Sequence, residues 1–154
     1  MVFCRTSYTA LGAQVLVGRN PTENDELTRS AAAADLWFHA RGCPGSHTVL
    51  RVPASGCACW VVLLGLAEAH FQLELTMSLA CREADREDIT FAASLAAYFS
   101  KARNEGKPAV TVARAKDVSK PRGAPPGMVM VKKERVVIGR PASVAALADK
   151  MQGA

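Results

Sequence analysis

Apolar positions recur along this chain of 154 residues with two spacings, one typical of strands and one typical of helices. Short apolar runs predict strands at 14–17, 36–41, 47–51, 109–114 and, as a final hairpin that reverses at "KKER", 128–140. Residues 85–104 carry apolar stripes on two sides of a predicted helix. This helix should therefore be buried, and Gly106 and Pro108 should end it.

Helix-start signals follow the first predicted strand. Asn20 is a favourable N-cap, Pro21 suits the first helical position and Glu23 completes a capping box, so a helix should run from Pro21 to about Ala33. A further short helix is predicted at 143–150. Together the elements predict one α+β domain, a mixed β-sheet with a long buried helix and one or two shorter helices.

The stretch "DLWFHARGCPGSHTVLR" (35–51) predicts a strand, a turn at 42–46 and a returning strand. A five-residue turn places Trp37 opposite Arg51, and cross-strand partners share a face of the sheet. One face should then combine an aromatic ring with cationic and imidazole groups, from Trp37, His39, Arg41, His47 and Arg51. The opposite, core-side face should hold Leu36, Phe38, Thr48 and Leu50.

An aromatic ring among guanidinium and imidazole groups suits RNA, because bases stack on the ring and arginines contact phosphates. The structural alternative is a core tryptophan with hydrogen-bonded histidines and a cation–π contact from Arg51. We predict no metal site, because His39, Cys43 and His47 on a strand and a turn do not aim at one centre. With no nucleophile–base pair and no paired carboxylates, we expect no catalytic residue, no cofactor and no enzymatic activity.

The formal net charge of +5 is unevenly distributed. Residues 101–140 hold 11 Lys or Arg and 3 Asp or Glu, and such a basic surface attracts polyanions. The five cysteines include no CxxC pair, which is typical of a reducing compartment. No signal peptide or membrane span is recognisable, so we expect a cytoplasmic protein without a membrane partner; an organelle is the alternative if the true N-terminus is longer.

Five sequence stretches resemble a known family and occur in the same order as in that family. They are "VLVGRN" followed by Asn24, "DLWFHARG", "PGSH" with "VLR", "LAAYFSKARN" and "KPRGAPPGMV". This set resembles the NFACT RNA-binding (NFACT-R) domain of the NFACT, or fibronectin-binding-protein-like, proteins of ribosome quality control. The resemblance covers residues 8–51 and 85–141.

The resemblance implies a stand-alone RNA-binding domain over 8–141, followed by a C-terminal tail or short helix at 142–154. Its implied partners are ribosomal or transfer RNA and the large ribosomal subunit. Residues 52–84 do not resemble the family, so we expect an insertion or a gene-model artefact there, with a folded helical hairpin as the alternative. The family motifs and the hairpin face together give the expected RNA contacts, Arg19, Asn20, Trp37, His39, Arg41, His47, Arg51, Lys101, Arg103, Lys120 and Arg122.

Two other functions use the same basic surface. One is DNA binding, which RNA-specific contacts to 2′-hydroxyls would distinguish. The other is docking on an acidic protein partner. The sequence leaves open which RNA is bound and what oligomeric state the protein has.

Overall fold

A computed structural model describes residues 4–52 and 84–152, so the expected insertion falls almost wholly outside the described residues. The strands in these ranges are β1 (Arg5–Tyr8), β2 (Gln14–Val17), β3 (Leu36–Ala40), β4 (Thr48–Leu50), β5 (Ala109–Arg114), β6 (Val118–Ser119), β7 (Met130–Val131) and β8 (Arg135–Ile138). The α-helices are α1 (Pro21–Ser30), α2 (Arg86–Tyr98) and α3 (Pro141–Gln152), and short 3-10 helices lie at Lys101–Asn104 and Ala115–Asp117. The α+β class is confirmed.

Six strands form one sheet in the order β1-β2-β4-β3-β5-β8, and β6 pairs with β7 in a separate ribbon. Each described strand pair is antiparallel, whereas the expectation of a mixed sheet allowed parallel pairs. The sheet also begins before residue 8, because β1 pairs with β2 along its whole length. None of the helices in the described part is long and apolar enough to cross a membrane.

Helices α2 and α3 cover one face of the sheet and form the main core with it. Every α2 residue from Ala92 to Tyr98 is buried, as the two apolar stripes predict. A smaller core lies on the other face, beneath α1 and the β6–β7 ribbon, and is built around Leu16, Leu27, Trp37 and Val49. Both faces of the sheet centre are therefore covered.

Local side-chain contacts set the limits of α1. The Asn20 side chain accepts a hydrogen bond from Glu23 N at 2.9 Å, as the predicted N-cap should. The helix ends at Ser30, before the expected Ala33. Asp35 explains the early end, because its carboxylate accepts from Ala32 N at 2.8 Å and holds the chain in a turn.

Two predicted elements differ from the structure. The helix predicted over 85–104 stops at Tyr98, because Ser100 has extended backbone angles and its side chain caps Ala102 N in a new 3-10 helix. The hairpin predicted over 128–140 does reverse near Lys133, a residue with a positive φ of 52°. Its two strands nevertheless do not pair with each other, because β7 joins β6 and β8 joins β5.

The β3–β4 register differs by two residues from the predicted one, since Trp37 lies opposite Val49 instead of Arg51. An even shift keeps every side chain on its predicted face. The cause is the loop between the strands, where Gly45 leaves the hairpin and forms an isolated bridge with Ser100.

Candidate nucleic-acid interface

The β3–β4 loop docks against the C-terminal end of α2. Lys101 N donates a hydrogen bond to Pro44 O at 3.1 Å, next to the bridge between Gly45 and Ser100. A Cβ atom on Gly45 would lie 2.7 Å from Ser100 Cβ, so a larger residue would push the two segments apart. This contact joins the "PGSH" and "SKARN" motifs and fixes Lys101 beside the loop.

A buried polar network ties α1 to the sheet beneath this loop. Asn24 Oδ1 accepts a hydrogen bond from His47 N at 3.0 Å. The Thr28 hydroxyl oxygen lies 2.9 Å from His47 Nδ1 and accepts from Trp37 Nε1 at 3.3 Å. A Cβ atom on Gly18 would lie 2.1 Å from Asn24 Oδ1, so the glycine of "VGRN" makes room for the asparagine of the same motif.

Trp37 does not form the expected exposed stacking platform. Its side chain is only 2% exposed, because α1 and the β6–β7 ribbon cover this part of the sheet and enclose it in the smaller core. In this conformation no base can stack on the ring. The hydrogen bond to Thr28 satisfies the indole N–H instead, as buried tryptophans require.

The two histidines of the predicted hairpin face are not freely exposed, since His47 is buried and His39 is half-buried. His47 is 2% exposed, and burial lowers the pKa of its imidazole to about 4. His39 is half-buried and stacks on Trp37 with 5.8 Å between ring centroids, and burial lowers its pKa as well. Both rings are therefore neutral near pH 7, and His47 is placed as a structural residue.

Arg51 does not lie over Trp37. Its Nη1 lies 2.6 Å from the buried carboxylate of Asp35 and 3.3 Å from Ser30 O. The guanidinium therefore joins the end of β4 to the end of α1, and this ion pair neutralises the charge that was expected to meet a phosphate.

Lys120 likewise has a partner within the fold. Its ammonium group contacts the Asp25 carboxylate and donates to Pro125 O at 3.0 Å, while Gly127 N donates to Asp25 Oδ1 at 3.0 Å. The "KPRGAPPG" loop is thus fastened to α1. Arg122 in the same loop is exposed and, among the described residues, has no ion-pair partner.

Arg19 and Asn20 sit at the start of α1. Arg19 Nε donates to both carboxylate oxygens of Glu23 at 3.1–3.2 Å, and Asn20 Nδ2 donates to the same group at 2.9 Å. Burial alone raises the pKa of the Glu23 carboxyl, but these bonds outweigh it and lower the pKa below its ordinary value. The Arg19 side chain remains 40% exposed, so its outer N–H groups stay accessible.

The backbones of four cationic residues lie at one end of the sheet, and we call this group the cationic rim. Arg5 begins β1 opposite Val17, and Arg19 follows directly after β2 ends at that residue. Arg41 follows the end of β3, and Lys101 is held by the β3–β4 loop. The rim is defined here as Arg5, Arg19, Arg41 and Lys101.

Charge pairing within the rim is uneven, because Arg19 is firmly paired with Glu23 while the other members have a loose ion-pair partner or none among the described residues. Arg41 is 56% exposed and only loosely paired with Glu134 at 3.7 Å. Lys101 is exposed and has no ion-pair partner in the described part of the chain. Burial and then the nearby charge of Arg19 lower the pKa of the Arg5 guanidinium, a sign that two cations are close together. Two of the four rim cations have an acidic partner, so the rim keeps a net positive charge, and such a surface attracts polyanions.

Aromatic rings contact the guanidinium groups of the rim residue Arg5 and of the neighbouring Arg103. The Arg5 guanidinium lies 4.7 Å from the Phe99 ring centre, and Arg103 lies 3.9 Å from that of Tyr98. The two rings meet edge to face at 5.2 Å. Arg103 also approaches Asp149 of α3 at 3.5 Å, so its charge is partly compensated.

Sequence reasoning missed Arg5. It precedes the first residue of the family resemblance and belongs to no motif. The four residues "RTSY" show no apolar–polar alternation, and the preference of Thr and Tyr for strands is the sequence signal that favours β1. No group of three potential metal-binding His, Cys, Asp or Glu side chains occurs among the described residues.

Comparison with known proteins finds relatives of one kind. The chain is 33% identical over 131 residues to the Rqc2 homolog RqcH of Bacillus subtilis, which covers 84% of this chain and 18% of that protein. It is 36% identical over 124 residues to the Rqc2 homolog RqcH of Streptococcus suis, covering 80% and 17%. The chain is therefore homologous to a segment of RqcH proteins, and it spans less than a fifth of their length.

A solved structure is also similar to this chain. The C-terminal part of the fibronectin/fibrinogen-binding protein of Streptococcus suis matches with a TM-score of 0.68 and 32% identity, covering 97% of this chain and 48% of that one. No family model matches the chain.

Proposed function

We propose that this chain is a non-catalytic RNA-binding module of the NFACT-R type that acts in ribosome quality control or translation. The homology to a segment of Rqc2/RqcH proteins supports the pathway, and the co-linear family motifs support the domain type. The proposed ligands are ribosomal or transfer RNA, with the large ribosomal subunit as the setting and the cytoplasm as the compartment.

The observation that carries the proposal is the convergence of the cationic rim. Arg19 and Lys101 lie in two separate family motifs, and the docking of the β3–β4 loop brings their motifs to one end of the sheet. Arg5 adds to the same positive surface, and Arg41 starts from the same end of the sheet with its guanidinium directed towards Glu134. Since half to two-thirds of protein–DNA hydrogen bonds go to phosphate and sugar, accessible cations are the expected footprint of a nucleic-acid surface.

The proposal places the RNA contacts on the rim rather than on the hairpin face. The members expected to meet phosphates are Arg5, Arg19, Arg41 and Lys101, with Arg103 and Arg122 as neighbours. Trp37 and His47 position this surface from within, because the buried network holds α1 and the β3–β4 loop in place.

A fluorescence-anisotropy titration with labelled transfer RNA and with a ribosomal RNA fragment tests the proposal. We expect Arg19→Ala and Lys101→Ala each to weaken binding and to reduce the slope of log affinity against log salt by about one. Arg114→Ala is the matched control, because it removes the same charge from an exposed residue at the opposite end of β5. An unchanged affinity in both rim variants would disprove the proposed interface.

A duplex DNA of the same length separates the alternative ligand. RNA-specific binding should exceed DNA binding, because only RNA offers 2′-hydroxyls and unstacked bases. Equal affinities for both polymers would favour the DNA-binding function. Partner capture that survives nuclease treatment while both RNAs fail to bind would favour a protein-interaction module.

A further inference from the structure

Among residues 4–52 and 84–152, no strand pairs with the outer backbone edge of β8. Its sheet neighbour among the described strands is β5, on one side only. Gly139 N donates to Pro108 O at 2.9 Å, so the backbone groups of Gly139 face the β5 side of the antiparallel ladder. Since inward and outward backbone groups alternate along a strand, the N–H and C=O groups of Val136 and Ile138 point away from β5.

The side chains on the same two residues are unusually accessible for apolar groups. Val136 is 45% exposed and Ile138 is 47% exposed, and both lie on the face opposite α2 and α3. The other edge strand, β1, contacts α3 and has Ser7 buried. Proteins normally shield an edge that combines free backbone groups with exposed apolar side chains.

The end of β8 is held firmly against the core. A Cβ atom on Gly139 would lie 2.9 Å from Ala93 O and 3.0 Å from Ala97 Cβ, so the chain passes directly over α2. The edge is therefore preorganised, and a ligand strand would not need to order it first.

The charge around β8 indicates what kind of strand can pair with it. Residues 132–140 contain four cations, Lys132, Lys133, Arg135 and Arg140, and a single acid, Glu134. All four cations are exposed, and none has an ion-pair partner in the described ranges. Two copies of this edge would repel each other, whereas an acidic segment would be attracted.

We propose that β8 is a docking edge for an extended acidic peptide segment of a partner protein. The segment adds a strand to the sheet through the outward groups of Val136 and Ile138. Its alternate apolar side chains contact these two residues, and its carboxylates lie near the four flanking cations. The proposal does not depend on RNA binding at the rim.

Selection of random peptides displayed on phage against the immobilised full chain tests this edge. Val136→Pro removes one outward N–H and leaves the ladder to β5 intact, because proline is tolerated where an edge N–H faces solvent. Val136→Thr is the matched control, since it keeps the N–H and the β-branched shape. We expect acidic peptides with alternating apolar residues to be enriched on the wild type and on Val136→Thr.

Affinities of the enriched peptides should fall about tenfold on Val136→Pro, corresponding to the loss of one well-formed backbone hydrogen bond. The double variant Arg135→Glu and Arg140→Glu supplies a second test that leaves the backbone unchanged, and it should weaken the acidic peptides by at least as much. Amide NMR shifts on peptide addition should concentrate at Val136 and Ile138.

Four outcomes overturn the proposal. One is that no peptide is enriched. Another is that the enriched peptides lack an acidic excess, and a third is that they bind Val136→Pro and the charge-reversed variant as tightly as the wild type. The last is a wild-type dimer in light scattering that Val136→Pro dissociates, because the occupant would then be a second copy of the chain.

Discussion

Arg51 and Asp35 form an ion pair at the end of the sheet opposite the cationic rim, with Nη1 and Oδ2 2.6 Å apart. The Asp35 side chain is 1% exposed and also accepts hydrogen bonds from Ala32 N and Val52 N. One carboxylate thus fixes the end of α1, the start of β3 and the end of β4. The pair explains why an aspartate and an arginine occur in the motifs "DLWFHARG" and "VLR".

Replacing Arg51 with methionine should lower the free energy of unfolding by about 1–2 kcal/mol, because a hydrogen-bonded charge partner is lost from a buried carboxylate. Urea denaturation measures the change. Arg114→Met, at an exposed residue, should stay within about 0.5 kcal/mol. The RNA affinity of the folded Arg51→Met protein should fall less than the RNA affinity of Lys101→Ala. A larger fall would indicate that Arg51 contacts the RNA directly.

Acidification should destabilise the fold through His47. The unfolded chain binds a proton at this residue near pH 6.5, while the folded chain does so only at about 4. Stability from the neutral imidazole is therefore complete above pH 6.5 and is lost as the pH falls towards 4, by up to about 3 kcal/mol. Urea midpoints measured across this range give the slope.

His47→Asn separates this contribution from that of the carboxylates, which titrate in the same range. The variant should be less stable at pH 7 but should show a flatter dependence between pH 6.5 and 4. His39→Asn is the control, because His39 is only half-buried and should remove a smaller part of the slope. Identical slopes for wild type and His47→Asn would contradict the assignment.

Gly18→Ala should be strongly destabilising. The added methyl group would lie 2.1 Å from Asn24 Oδ1 and would displace the side chain that binds His47 N. We expect a loss of about 2–3 kcal/mol, typical of overpacking in a buried site. Gly106→Ala is the matched control, since an added Cβ meets nothing within 4 Å there; its melting temperature should be unchanged or slightly raised.

Lys120→Met should loosen the proline-rich loop without unfolding the domain. Burial raises the pKa of Asp25, but hydrogen bonds from Lys120 and the Gly127 amide outweigh this and lower it, so the carboxylate is a charged anchor for both. Losing the ammonium should speed hydrogen exchange of the Gly127 amide severalfold. Arg122→Met should leave that exchange rate unchanged, and equal acceleration in both variants would contradict the anchor.

Features that depend on short-range chemistry could be predicted from the sequence. The N-cap at Asn20, strand β5 and the division of residues 36–51 between two faces follow from local capping and alternation. These features depend on neighbours a few residues apart, so the sequence alone carries the information.

Features that depend on long-range docking could not be predicted. The face containing Trp37 would be exposed on an isolated hairpin, and it is buried only because α1 and the β6–β7 ribbon pack on it. Similarly, "MVMVKKERVVI" alternates like one hairpin, but its halves pair with strands from different parts of the chain. Arg5 enters the site only through pairing of β1 with β2.

The cationic rim is assembled from residues as far apart in sequence as Arg5 and Lys101, which only the completed sheet brings close together. An unfolded chain offers no comparable arrangement. A polyanion that binds the rim of the folded chain must therefore stabilise that state by mass action. At a free ligand concentration of 100 times the dissociation constant, the free energy of unfolding rises by about 2.7 kcal/mol. Protection of the chain against heat and proteases would then depend on the supply of its ligand.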